Sequence, residues 1–155
     1  MNLFNMLGKI SGVDPKAAKT RQTIRHVITL IVIAGVAIMF YFGLKEPRIY
    51  VTDDIIISGM YGLTVEYSEI TDITLIGKSM SEIGTGKRTN GFGGPGNALK
   101  GFFELSGDGK TLLFVSPKSS PTIRIERADR ENIYISFRGG EDTQRLYNTL
   151  KAAVG

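Results

Sequence analysis

The chain of 155 residues has no cysteine, no tryptophan, a single histidine and only five prolines. Without thiols it can form no disulfide, no thiolate nucleophile and no cysteine-ligated zinc site. The compartment stays open, since exported proteins also do without cysteine. The one imidazole, the usual general base, is His26, beside Arg25 at the edge of an apolar run, where an interfacial role is the simpler reading. Asp53 and Asp54 read as a turn, and the serine-rich run 116–120 has no base partner. No catalytic residues, metal site or cofactor are expected, and the chain does not read as an enzyme. Two carboxylates brought together by folding are the arrangement the sequence leaves open.

One-signed charge is also missing where nucleic-acid binding would need it. The formal net charge is +4. Residues 1–26 hold Lys9, Lys16, Lys19, Arg21 and Arg25 against Asp14, whereas residues 45–155 hold 14 basic and 14 acidic side chains. The whole surplus therefore precedes one apolar segment. A nucleic-acid interface would concentrate cations on a folded face, where they displace counterions from phosphate, so no nucleic-acid partner is expected.

That segment, "VITLIVIAGVAIMFYFGL" (27–44), carries no charge, and Thr29 is its only clearly polar residue. Its 18 residues suffice for one helix across a bilayer core of about 30 Å. Phe40, Tyr41 and Phe42 suit an interfacial belt. A cleaved signal peptide would have a shorter apolar core and small residues at a cleavage site, and "FGLKEP" offers none. We expect a basic tail over 1–23, a membrane span over 24–44 that makes the bilayer a partner, and a folded domain over 48–154. For the tail, a surface amphipathic helix and a frayed segment are both open. The cation excess on the N-terminal side predicts a cytoplasmic N-terminus and an extracytoplasmic domain.

Beyond Lys45 the hydrophobic period falls to two. "LTVEYS", "TIRIER" and "IYISFR" alternate apolar with polar residues, as strands with one buried face do. Further strand candidates are 55–58, 70–76, 98–105 and 111–116, with 49–51 as a lead-in. "GMYG" and "SGDG" read as tight turns. From Glu141 the pattern becomes helical, with acid at the N-terminal end and Leu146, Tyr147, Leu150 and Val154 on one face. The spacing predicts a mainly β domain of seven antiparallel strands in hairpin order, a barrel or sandwich capped by a C-terminal helix.

"GMYGLTVEYSEITDITLI", "GKRTNGFG", "KGFFEL", "LLFV", "PTIRIER" and "IYISFR", followed by the helix with Leu146, Tyr147 and Leu150, resemble a bacterial family of small membrane-anchored proteins. That family has a pleckstrin-homology-like (PH-like) domain. The resemblance covers about residues 48–152, and "KRTNGFG" is its most specific piece. It implies a PH-like fold at a bacterial cell membrane and a binding or scaffolding role without catalysis.

The run "GKRTNGFGGPG" (86–96) contains a literal G-x-G-x-x-G at Gly91, Gly93 and Gly96. A dinucleotide fingerprint needs a strand before it and a helix after it, but polar "KRTN" precedes this one and strand-like "NALKGFFEL" follows. Nor is it a Walker loop, because Arg88 follows Gly86-Lys87 where Ser or Thr should bind magnesium. The run reads instead as part of a long connection, 77–97, between strands. Lys78, Lys87, Arg88 and Lys100 against Glu82 make the region 77–100 locally cationic. Thr89 and Asn90 lie in its centre, and Phe92 either docks on the domain or faces a partner. These seven side chains, the four cations with Thr89, Asn90 and Phe92, are the expected contact set for a protein partner or for lipid head groups. Ordinary structural packing is the competing reading. The Ser58–Gly62 hairpin carries no cation to grip an inositol phosphate, as PH domains of eukaryotes do.

Overall fold

A computed structural model describes residues 15–94 and 98–155 of the chain. The chain divides into two units between Met39 and Phe40. The first is the greater part of helix α1, Pro15–Leu44, 30 residues long. Proline at the first helical position costs no hydrogen bond, because that N–H has no intrahelical acceptor. The helix thus begins before the expected boundary at 24. Of the tail expected over 1–23, residues 1–14 lie outside those described. Lys19–Leu44 is long and apolar enough to cross a membrane, a property shared by signal sequences near an N-terminus. Its large apolar side chains stay uncovered, Leu30 and Ile31 each at 65% exposure.

The second unit, Phe40–Gly155, is the β domain. Its first sheet is an antiparallel meander of β1 (Arg48–Val51), β2 (Asp54–Ser58) and β3 (Leu63–Glu66). The second has six strands: β4 (Ile70–Ile76), β5 (Lys87–Gly94), β6 (Ala98–Leu105), β7 (Gly109–Val115), β8 (Thr122–Arg127) and β9 (Asn132–Ser136). Their spatial order is β4-β8-β9-β7-β6-β5. One helical turn, α2 (Met80–Ile83), lies between β4 and β5, and helix α3 (Gly140–Val154) closes the chain.

Seven antiparallel strands in hairpin order are therefore replaced by nine strands in two sheets among the described residues. β9 turns back from β8 and enters between β8 and β7, running parallel to β7 with Leu112 opposite Ile133 and Phe114 opposite Ile135. These two strands can occupy the sheet centre because both their faces are apolar. Leu112, Phe114, Ile133 and Ile135 join Ile55, Val65, Ile125 and Leu150 in the main core, to which the first sheet and α3 contribute. Leu113, Val115 and Tyr134 point the other way, into a second cluster with Phe103, Leu105 and Met80 of α2. The expected wet face of "IYIS" is thus covered. α2 is fixed by Glu82, whose carboxylate accepts from the Ser79 N–H at 2.8 Å and its hydroxyl at 2.7 Å. A further bond from the Ser81 N–H to the Pro117 carbonyl, 2.7 Å, holds it to the β7–β8 connection.

The connection expected over 77–97 is also corrected: it contains α2 and all of β5. β5 shows no apolar alternation because it is the outer strand of its sheet. Lys87, Arg88, Thr89 and Asn90 are exposed, and Phe92 is buried.

Candidate functional site

The expected contact residues separate into an exposed group and a buried pair. Lys87, Arg88, Thr89 and Asn90 come together on the exposed outer strand β5. The β5–β6 register shifts between Arg88 and Asn90, so Thr89 is the additional residue of a bulge. Its hydroxyl donates to the Phe102 carbonyl at 3.1 Å, and Asn90 Oδ1 accepts from the Tyr61 hydroxyl at 3.3 Å. The Arg88 guanidinium lies along the strand, with Nη1 3.0 Å from where a Cβ on Gly93 would sit. Lys78 is exposed too, but on a separate element, the β4–α2 connection, where its carbonyl accepts from the Thr122 hydroxyl at 2.9 Å.

Phe92 and Lys100 turn inward instead, with Phe92 8% and Lys100 3% exposed. They face each other across the β5–β6 ladder. The Phe92 ring meets Phe40 edge to face at 5.8 Å, and Lys100 Nζ donates to the carbonyl of Lys45. Burial pushes the Lys100 amine below its ordinary value; Glu46 opposes that shift and Arg138 adds to it. Arg138 completes the arrangement, donating from its backbone N–H to Glu46 Oε1 at 2.7 Å and from Nη2 to the Leu44 carbonyl at 3.4 Å. These side chains hold residues 40–46 on the domain and are not available to a partner as placed. A signal for this was present in the sequence: Lys100 alternates with Ala98 and Phe102, which puts it on an apolar face of β6.

A polar cluster that sequence reasoning missed centres on Asp108, in the β6–β7 turn. Arg124 grips it through Nη2 at 2.6 Å and Nε at 3.3 Å, the Tyr134 hydroxyl donates at 2.7 Å, and Asn132 Nδ2 donates at 3.1 Å. Arg124 also pairs with Glu126. Burial works to raise the Asp108 carboxyl, but hydrogen bonds from Arg124, Tyr134 and Asn132 outweigh it and hold the group below its ordinary value. Burial, then the bond to Asp108, pushes the Tyr134 hydroxyl up. The carboxylate is thus ionised and its charge matched by a guanidinium, an arrangement that locks a turn to two strands. Turn chemistry in "SGDG" and alternation in "TIRIER" had each been complete without it, so no local pattern announced the pairing.

Among the described residues no three His, Cys, Asp or Glu side chains group as a metal site. Among the clefts on the second unit, two bear on these side chains. One, of about 190 Å³, is lined by Phe42, Lys45, Glu46 and Arg48 and by the corner at Ser58, Gly59 and Met60. The other, of about 120 Å³, lies between Ile83, Gly84 and Leu105, with Asp108 and Tyr134 at its polar end. Comparison with protein-family models, curated proteins and solved structures finds no match for the chain.

Proposed function

We propose that the chain is a single-pass membrane protein whose β domain, a PH-like module, binds a protein partner at the bilayer surface and does no chemistry of its own. The observation that carries the anchoring is the uncovered apolar surface of Lys19–Leu44. A soluble protein would bury such a surface, and in lipid its exposure costs nothing. The lysine and arginine excess before the helix supports a cytoplasmic N-terminus and an extracytoplasmic domain in a bacterial cell membrane.

The partner reading draws on β5. This strand of eight residues is outermost in its sheet and presents Lys87, Arg88, Thr89 and Asn90. Cations and a bulge on an edge strand discourage pairing with a second copy, which favours a partner of different and complementary surface. A photocrosslinker at Arg88 or Asn90 in native membranes is expected to capture a discrete protein band; no band above background would contradict the reading. Lipid adducts alone would favour a second reading, contact with anionic head groups. That one is supported by the exposure of Lys78, Lys87 and Arg88, which make no ion pair among the described residues.

A further inference from the structure

We propose that the cleft at Phe42, Lys45, Arg48 and Ser58 is a binding site for the phosphate head group of an anionic phospholipid. The site is distinct from β5 and rests on the anchoring reading.

Its cations come from the segment that leaves α1. Lys45 and Arg48 follow within four residues of Leu44, and neither makes an ion pair among the described residues. The one carboxylate in the cleft, Glu46, accepts from the Arg138 backbone N–H through Oε1. Arg48 stands directly opposite Ser58 in the β1–β2 ladder, and both line the cleft. Gly59 follows with φ +111° and open space where a Cβ would be, which leaves the wall of the cleft clear for an incoming oxygen. Lys45 Nζ rests 5.8 Å from the centroid of Tyr41, an exposed ring next to exposed Phe42. Aromatic rings beside cations at a helix end are the usual furniture of the head-group layer.

The rest of the sheet face follows the same gradient. Beyond Arg48 and Ser58 come Tyr50 opposite Ile56, at 48% and 38% exposure the only exposed large apolar side chains outside α1 among the described residues. Beyond those, farthest along the ladder from Leu44, comes the acidic pair Asp54 opposite Glu66. The cations thus lie at the end of the ladder next in sequence to Leu44, where anionic lipid would attract them.

The test uses the full-length chain, recovered from membranes and transferred to mixed micelles holding equal phosphatidylglycerol and phosphatidylcholine, with retained lipid counted by native mass spectrometry. Retention of phosphatidylglycerol over phosphatidylcholine is expected. Loss of the Lys45 or Arg48 charge should reduce it about fivefold each. Arg48→Lys should keep most of it, and Lys87→Ala with Arg88→Ala should leave it unchanged. Soluble glycerol phosphate should not displace the lipid; full displacement at millimolar concentration would assign the cleft to a free phosphate and overturn the proposal. Equal retention of both lipids, or the same preference in Arg48→Ala with a wild-type circular dichroism spectrum, would overturn it while the anchoring stands. Release of the chain from membranes by alkaline carbonate would overturn both.

Discussion

Gly91 lies directly opposite Gly101 in the β5–β6 ladder, and a Cβ on either would strike the neighbouring backbone. On Gly91 it would sit 2.5 Å from the Lys100 carbonyl oxygen; on Gly101, 2.7 Å from the Gly91 Cα. Gly101 also has φ +105°, a conformation L side chains rarely adopt. Gly91 and Gly101 therefore serve strand pairing. Gly101→Ala should destabilise the domain by about 1–3 kcal/mol, with Gly91→Ala close behind. Thermal melts of the full-length variants in detergent would check this, and an unchanged midpoint for Gly101→Ala would contradict it.

The Asp108 cluster gives a stability prediction with a defined pH sign. The folded state holds the Asp108 carboxyl below its ordinary value of 3.8. The unfolded state therefore binds the proton first as pH falls. The contribution is complete above 3.8 and is lost as pH drops through the folded value. Asp108→Asn should cost about 1–3 kcal/mol at neutral pH, because the turn loses its charge-assisted bonds from Arg124 and Tyr134 and leaves Arg124 with Glu126 alone. Arg124→Ala should cost a similar amount, and the double variant less than the sum. Denaturant unfolding from neutral pH to acid, on the cycle of variants, measures both the coupling and its disappearance.

Lys100 carries the same sign at the alkaline end. Its burial depresses the amine below 10.5, so between the folded value and 10.5 the unfolded chain binds a proton that the folded chain has released. Stability should rise with pH through that window, and Lys100→Met should lack the rise. Comparison of the two unfolding curves at alkaline pH decides it. An equal slope in both proteins would mean that Lys100 is solvated and available to a partner.

The elements that the sequence made legible are those whose side chains carry a period. α1 and α3 have stretches long enough to recognise, and β2, β3, β4, β6, β7 and β8 show apolar residues where a pleated sheet needs them. β5 lacked that signal because an outer strand buries Phe92 and leaves Lys87 to Asn90 to water. The insertion of β9 beside β7 was illegible for a different reason. Parallel and antiparallel neighbours ask for the same apolar residues, so "LLFV" and "IYIS" fit either. Of the expected contact residues, Phe92 takes the docked alternative, and Lys100 turns inward on the face of β6 that it shares with Ala98 and Phe102. Their real partners, the Lys45 carbonyl and the Phe40 ring, are far away in sequence.

The cation asymmetry about the apolar helix implies a direction of insertion. Protease added to intact cells should degrade the domain after Leu44 and spare the N-terminal segment. A domain that survives until the cells are opened would place it in the cytoplasm and reverse the orientation.

The most direct test of membrane anchoring is to wash membranes from cells making the native chain with alkaline carbonate and determine the N-terminal boundary of what remains. Retention in the pellet, with the apolar segment 24–44 still joined to the β domain, is the expected result. A domain recovered in the supernatant and beginning after Leu44 would show the helix to be a removable leader, and would contradict the reading of a membrane-held module.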